Sequence, residues 1–180
     1  YKHSTDPNTI SATTLMKPLR QIVLGARVKQ EDTQVDLLSV VSSRMGSAIH
    51  DAFERSWKEN HVKSMTALGY PSKVIANVRV NPKPEDLFDD CIPVYLEQRT
   101  YKNVGKYTVS GQFDFVGDGR VEDLKTTSAY SYTARNNDDK YILQGSIYRW
   151  LNPVLITQDT MAIQFLFTDW QAIKARTDPK

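Results

Sequence analysis

The sequence predicts an α/β fold in which helices flank a mixed β-sheet. Three observations lead to this prediction: a long helical pattern in the first half, runs rich in β-branched and aromatic residues in the middle, and a second helical pattern before a last apolar run. A helix between two strands favours a mixed sheet, with a right-handed crossover into the last strand. The expected order is therefore helix, three or four strands, helix, strand.

At 180 residues the chain is long enough for one domain with its own core. We expect a single domain over residues 1–180, with an N-terminal segment over 1–37 and the core over 38–180. The net charge of +2 is too small to indicate nucleic-acid binding by itself. The single cysteine, Cys91, excludes an internal disulfide and favours a reducing compartment. No apolar stretch approaches the roughly 18 residues of a membrane span, so no membrane contact is expected.

The N-terminal half is predicted to be helical. Hydroxyl side chains over residues 10–15 are suited to capping a short helix, and a basic segment follows. The clearest helix runs from about residue 38 to 68, because apolar residues recur there every four positions. The members of this stripe are Met45, Ile49, Phe53 and Trp57, widened by Ala48 and Ala52. Gly69, followed closely by a proline, marks the end of the helix.

The middle of the chain is rich in strand-forming residues. Alternating β-branched residues predict a strand over 74–80, and two prolines end it. Further strands are expected over 94–101, 107–116 and 120–126. Polar residues without a period predict a loop over 126–137.

The last third combines a helix and a strand. A helix is expected from about 138 to 151, and Pro153 ends it. Its apolar stripe consists of Leu143, Ile147, Trp150 and Leu151. A buried strand is expected over 160–168, and a further helix over 170–176.

The run over 111–125 is the most informative part of the sequence, because it predicts a β-hairpin that carries charged groups. Asp114 lies on the first strand, and Asp123 and Lys125 lie on the second. Since side chains alternate across a strand, Asp123 and Lys125 share one face and Leu124 takes the other. A Gly-Asp-Gly turn folds the first strand back beside them. Two carboxylates and an ammonium then converge, as in a site for a hard divalent cation bound to a phosphate.

The ordinary interpretation of these residues has to be weighed as well. Asp-x-Lys is common and usually marks a solvated strand face with a surface ion pair. Asp114, however, lies between two phenylalanines, which is an unusual place for a carboxylate without a partner. Glu122 adjoins Asp123 but faces the other side of the strand, so we interpret it as a neighbour and not as a ligand.

Four further residues are candidates for the same site. His50 lies on the flank of the first helix's stripe, where it can reach inward as a metal ligand or bond a local backbone group. Gln144 and Tyr148 lie one helical turn apart, so they hold substrate together or bond backbone groups at the helix–sheet boundary. Glu97 lies on the strand that precedes the hairpin. It is either solvated or, across the sheet from Asp114, part of the site.

Taken in order, these motifs resemble the RecB-like branch of the PD-(D/E)XK nuclease superfamily. They are Gly46 with His50 on an early helix, a strand glutamate, Gly-x-x-Asp, Asp-x-Lys and Gln-x-x-x-Tyr. The resemblance spans about residues 11–168. It implies a restriction-endonuclease-like core, with a mixed sheet flanked by helices, and a metal-dependent deoxyribonuclease over residues 38–180.

The resemblance also implies roles for individual residues. It implies four metal ligands: His50, Asp114, Asp123 and the backbone carbonyl of Leu124. It implies a catalytic lysine at Lys125, an auxiliary acid at Glu97, and a helix motif, Gln144 with Tyr148, that helps to hold the DNA. The cofactor implied is one or two Mg²⁺ or Mn²⁺ ions. An iron–sulfur cluster held by four cysteines is excluded, because the chain has a single cysteine.

The expected partner is DNA, and the expected activity is that of a stand-alone exonuclease on DNA ends or single strands. Lys17, Arg20 and Arg27 are candidate phosphate contacts or ordinary solvated cations. We expect an intracellular, cytoplasmic protein of bacterial or phage type. The alternatives are a structure- or site-specific endonuclease of the same superfamily, an inactive nucleic-acid-binding module, and a structural α/β domain whose acids are all surface ion pairs.

Overall fold

The structure of the chain is a computed structural model that describes residues 8–25, 27–28 and 37–169, together with Asp6, Gln171 and Arg176. These residues form six α-helices and eight strands, and the strands form two mixed sheets. Apart from Gln171 and Arg176, the helix expected over 170–176 lies outside the described residues. No helix in the described ranges is long and apolar enough to cross a membrane.

The elements have the following bounds. The helices are α1 (Ala12–Leu15), α2 (Leu19–Gly25), α3 (Leu37–Ala67), α4 (Ser72–Asn77), α5 (Ala129–Ala134) and α6 (Asp138–Leu151). The strands are β1 (Thr9–Ser11), β2 (Val78–Val80), β3 (Ile92–Leu96), β4 (Arg99–Val104), β5 (Tyr107–Gln112), β6 (Phe115–Gly117), β7 (Arg120–Thr127) and β8 (Met161–Phe167).

The strands divide between a small and a larger sheet. The three-stranded sheet has the order β1-β5-β4, and the five-stranded sheet has the order β2-β3-β6-β7-β8. β7 pairs in parallel with β8, and α6 lies between them in the chain, as expected for a crossover connection; the right-handed sense of that crossover stays a prediction. The two long predicted helices, α3 and α6, are also confirmed, as is the Ser11 cap of α1, whose Oγ accepts from the Thr14 N–H at 3.1 Å.

Two local predictions are wrong. The strand expected over 74–80 is helix α4 followed by the short β2, because Pro71 starts a helical turn whose Val74 and Ile75 pack against the core under α3. The loop expected over 126–137 contains α5. Ser128 caps this helix, and the Tyr132 ring packs against two phenylalanines of β8 at centroid distances of 5.1 and 5.5 Å.

The strands expected over 94–101 and 107–116 are not continuous. The first breaks at Glu97, so β3 belongs to the five-stranded sheet and β4 to the three-stranded sheet. The second breaks between Gln112 and Phe115, where the chain passes in the opposite direction between the sheets. The Glu97 N–H donates to the Asp114 carbonyl at 3.0 Å, so both breaks lie at one place. We call this place the sheet switch.

The core lies on both faces of the five-stranded sheet. Phe53 and Trp57 of α3 pack against Phe115 on one face. The buried side of α6 packs against the other, and the predicted stripes fit these faces only in part. Side chains predicted in the stripes but exposed are Met45, Ala48, Ala52, Leu143 and Trp150. The buried residues of α6 are Gln144, Gly145, Tyr148 and Leu151. The buried face is rotated because Gly145 lets α6 approach Met161 of β8 closely.

Candidate metal centre

Three potential metal ligands converge at the sheet switch. His50, Glu97 and Asp114 each offer a ligand atom, and these atoms all lie within 4.8 Å of one another. His50 Nδ1 is 3.4 Å from Asp114 Oδ2. The side chains come from α3, from the residue after β3 and from the residue before β6. We refer to the three residues as the metal cluster.

Close approach of α3 to β7 brings His50 to this position. Gly46 lies one turn before His50, and a Cβ added to Gly46 would be 3.3 Å from Thr126 Oγ1. A larger residue would therefore push the helix or the Thr126 side chain away. The expectation that His50 reaches inward is confirmed. Glu54, one turn further on, pairs with Lys58 at 2.6 Å.

The two acids of the cluster owe their positions to the broken strands. Glu97 has a φ of 51°, a left-handed conformation that is uncommon for a residue other than glycine. It turns the chain out of one sheet and into the other. Asp114 lies one position before the Phe115–Glu122 pair of the β6–β7 ladder, and it is 8% exposed. Its Oδ2 accepts from the Leu124 N–H at 3.2 Å. The Leu124 carbonyl as a ligand stays a prediction.

Asp123 and Lys125 lie beside the cluster on one face of β7, as predicted. Asp123 is 1% exposed, and its Oδ2 lies 2.5 Å from Lys125 Nζ. No described donor is aligned with that oxygen for a hydrogen bond. Its Oδ1 accepts from Gln144 Nε2 at 2.9 Å, and the same nitrogen is 2.9 Å from the Tyr148 hydroxyl. Gln144 therefore holds the acid.

Burial and mutual repulsion oppose ionisation of the acids. Burial, and then the charge of Asp123, raises the pKa of Asp114 to about 6, although His50 and Lys125 partly offset the effect. Burial also raises the pKa of Glu97, and the Gln112 amide opposes that rise by hydrogen bonding to the carboxylate. A cation bound among these groups would favour their charged forms.

The donor set of this cluster fits a hard divalent cation. Two of its three ligand groups are carboxylates, which suit hard divalent cations, and the third is an imidazole. The buried Asp123 Oδ2, which lacks an aligned donor, is a further oxygen on the same side of the site. The metal cluster, whose ligand atoms lie within 4.8 Å of one another, includes a carboxylate oxygen of Glu97 but none of Asp123. Glu97, expected to be either solvated or part of the site, therefore lies among the potential ligands, and the role of Asp123 as a metal ligand stays a prediction.

A cavity of about 220 Å³ adjoins the cluster. Six predicted site residues line it: His50, Asp114, Asp123, Lys125, Gln144 and Tyr148. Lys17 and Arg20 do not line it and are exposed, as is Arg27. No contact between described residues connects these three cations to the site, and their role as phosphate contacts stays a prediction.

The cavity-lining residues that sequence reasoning did not assign to the site include Arg99 and Gln112. Arg99 lies two positions after Glu97, and Gln112 lies two positions before Asp114. Arg99 and Gln112 are paired across β4 and β5, and Arg99 Nη2 donates to Gln112 Oε1 at 2.8 Å.

The alternative in which all the acids form surface ion pairs is contradicted. Asp114 and Asp123 are both buried, and their partners are buried or lie in the cavity. Glu122, by contrast, pairs with Arg120 at 2.5 Å on the other face of β7. The choice of Asp123 over Glu122 as the inward-facing acid is confirmed.

Comparisons with known proteins address the fold alone. No protein-family model matches the sequence, and no curated protein does. The chain is similar in structure to the crystal structure of SSO0001, with a TM-score of 0.57 and 17% sequence identity. The similarity covers 93% of this chain and 66% of the other, so the match spans just under two thirds of that structure's length. The mixed α/β architecture, with helices flanking two sheets, is thus shared with a solved structure.

Proposed function

We propose that the chain is a divalent-metal-dependent DNA nuclease of the RecB-like branch of the PD-(D/E)XK superfamily. It would hydrolyse phosphodiester bonds at DNA ends or in single strands. The observation that best supports this proposal is the meeting of the metal cluster and the Asp123–Lys125 pair around one cavity. Hydrolysis of a phosphodiester needs a nucleophilic water, stabilisation of the negative charge that develops on the pentacoordinate phosphorus group, and stabilisation of the leaving oxygen.

The protein groups would divide this work among themselves. His50, Glu97 and Asp114 would hold the ion, with Asp123 beside them. A bound Mg²⁺ or Mn²⁺ supplies a water of lowered pKa and positive charge next to the phosphate. Because Mg²⁺ and Mn²⁺ keep several waters of their own, a few protein ligands are enough.

Lys125 would act on the phosphate itself. Its side chain is 29% exposed at the cavity, while its Nζ is fixed 2.5 Å from buried Asp123. An ammonium held in this way keeps donors available for a phosphate oxygen as negative charge develops. Gln144 would act as a positioning residue, because its amide fixes Asp123 Oδ1. Tyr148 extends this chain of hydrogen bonds along α6.

Cleavage of labelled DNA tests the proposal. With Mg²⁺ or Mn²⁺ the wild-type protein should degrade DNA, and a chelator should stop it. Asp123→Ala should lower the rate by roughly a hundredfold or more, because the variant loses a buried charge next to the metal cluster. Glu122→Ala is the matched control: it removes the neighbouring acid, which pairs with Arg120 on the other face, and should stay within about twofold of wild type.

The outcomes separate the candidate functions. Equal rates in Asp123→Ala and wild type, with both folded by circular dichroism, would contradict the site. Cleavage of linear but not of covalently closed circular DNA supports the exonuclease, and cleavage of both supports the endonuclease. DNA binding without cleavage in either metal would leave the binding module as the function.

A further inference from the structure

The charges around the cavity are unevenly paired. Three cationic or potentially cationic side chains line it: His50, Lys125 and Arg99. His50 faces Asp114, and Lys125 faces Asp123. No carboxylate oxygen of a described residue lies within 4.0 Å of the Arg99 guanidinium. Arg99 therefore has no direct ion-pair partner among the described residues.

The Arg99 guanidinium is held at one point and leaves its other donors to a ligand. Arg99 opens β4 and is half-buried. The hydrogen bond from its Nη2 to Gln112 Oε1, at 2.8 Å, is the one that described residues give to this guanidinium. A planar guanidinium that carries several parallel N–H groups suits two oxygens of a phosphate.

Gln112 joins this cation to the metal cluster. Its Nε2 donates to Glu97 Oε2, while its Oε1 accepts from Arg99. The opposite orientation of the amide would set its oxygen against a carboxylate and its NH₂ against a guanidinium. Gln112 can therefore satisfy both neighbours in one orientation only. This orientation fixes Arg99 relative to Glu97.

We infer that Arg99 forms a phosphate-binding subsite next to the metal cluster, and that Gln112 positions it. The inference rests on the proposed function, since the phosphate belongs to the nucleic acid that the site would cut. Two sources share this chemistry: a 5′-terminal monophosphate and an internal phosphodiester. In either case Arg99 binds the phosphate, while Glu97, positioned by Gln112, serves as a metal ligand.

Binding of thymidine 5′-monophosphate, at Mn²⁺ concentrations that saturate each variant, tests the subsite by calorimetry. Arg99→Met should weaken nucleotide binding by roughly tenfold or more, because charge-assisted hydrogen bonds are lost. The affinity of Arg99→Lys, which keeps the charge but not the planar set of N–H donors, should lie between those of Arg99→Met and wild type. Lys63→Met is the charge-matched control: Lys63 is exposed on α3 and does not line the cavity, so its removal should leave binding unchanged. Mn²⁺ affinity should be nearly the same in Arg99→Met and wild type.

A second variant tests the positioning role. Gln112→Leu should weaken nucleotide binding several-fold and also lower Mn²⁺ affinity, because Glu97 loses its amide partner. Thr108→Val is its control: it lies on the same face of β5 and removes a hydrogen bond to Asn103 that does not reach the site. Loss of nucleotide affinity without loss of Mn²⁺ affinity would show that Gln112 does not join the two sites.

Oligonucleotides distinguish the two phosphate sources. In an Asp123→Asn background that blocks cleavage, the Arg99→Met effect is compared between 5′-phosphorylated and 5′-hydroxyl single strands. An effect confined to the phosphorylated strand assigns a terminal phosphate. An equal loss of affinity for both strands, with the slope of log K against log[salt] smaller by about 0.7, assigns an internal phosphate. Wild-type nucleotide affinity in Arg99→Met, or no nucleotide binding by wild type, would overturn the subsite. Failure of the nuclease proposal is seen separately, as absence of DNA cleavage by wild type.

Discussion

Glu97 combines a site carboxylate with an unfavourable backbone conformation. At a φ of 51° its Cβ crowds the following carbonyl, which costs roughly 1–2 kcal/mol for a residue other than glycine. The surrounding hydrogen bonds impose this conformation: its N–H bonds the Asp114 carbonyl, and its carboxylate accepts from Gln112. Strain of this kind is typical of functional positions, because a glycine would suit the turn but could not supply the acid.

A pair of substitutions separates the strain from the chemistry. Glu97→Gly and Glu97→Ala both remove the carboxylate and its hydrogen bond, but glycine alone relieves the left-handed strain. We therefore expect Glu97→Gly to be more stable than Glu97→Ala by about 1 kcal/mol in urea denaturation. Both should bind Mn²⁺ much more weakly than wild type. Equal stability of the two would show that the backbone at this position is unstrained.

At the scale of elements, the contact between α6 and β5 determines where Gln144 can reach. A Cβ added to Gly111 of β5 would be 2.5 Å from Leu151 Cδ1 and 3.3 Å from the Tyr148 ring. The helix therefore packs directly on the backbone of the strand. Since Gln144 and Tyr148 are both on the buried side of α6, this close packing helps to bring the amide within 2.9 Å of Asp123.

Gly111→Ala tests this packing. The added methyl group should push α6 outward and destabilise the fold by about 1–3 kcal/mol in thermal or chemical unfolding. Nuclease activity should fall as well, because Gln144 moves away from Asp123. Leu151→Val removes the atom that the methyl meets, so the double variant should regain part of the stability. A Gly111→Ala protein as stable as wild type would mean that α6 is free to adjust.

The same scale shows what sequence patterns can and cannot predict. The helix α3 was predictable from apolar residues that recur every four positions, and β7 from its alternating side chains and the turn before it. Both patterns depend on local residues alone. The sheet switch was not predictable, because strand-forming residues lie on both sides of Glu97 and no turn residue marks the point where the chain changes sheets. Likewise the polar Gln144 can lie on the buried face of α6 because its amide donates a hydrogen bond to Asp123.

For the whole molecule, a bound ion should add stability. Ligation of Mn²⁺ by three residues from separate elements stabilises the folded state alone. At a free Mn²⁺ concentration about a hundred times the Kd, the gain is about 2.7 kcal/mol. For a chain of this length, that gain should raise the Tm by roughly 5–10 °C.

Two histidines on one helix provide the comparison for this prediction. His50→Ala should lose most of the Tm increase, since His50 belongs to the metal cluster. His61→Ala should keep it, because His61 Nδ1 bonds only the Trp57 carbonyl in the described structure. Addition of a chelator to wild type should reverse the shift. An equal shift in both variants would mean that the ion binds elsewhere.

The candidate site as a set was predictable in membership but not in geometry. His50, Asp114, Asp123, Lys125, Gln144 and Tyr148 were all identified by motif, and they line one cavity. The sequence did not predict which acids lie near His50, because the broken strands bring Glu97 and Asp114 to the same place. Arg99 was missed for the same reason, since its importance comes from its partners across β4 and β5.

The parallel pairing of β1 with β5 has a consequence for the order in which the chain can fold during synthesis. β1 stays without its neighbour until β5 has left the ribosome, and Asp123 lacks its amide partner until α6 follows. A nascent chain that ends before α6 therefore cannot present a finished site. Under the proposed function, DNA cleavage would therefore be expected only from chains long enough to include α6.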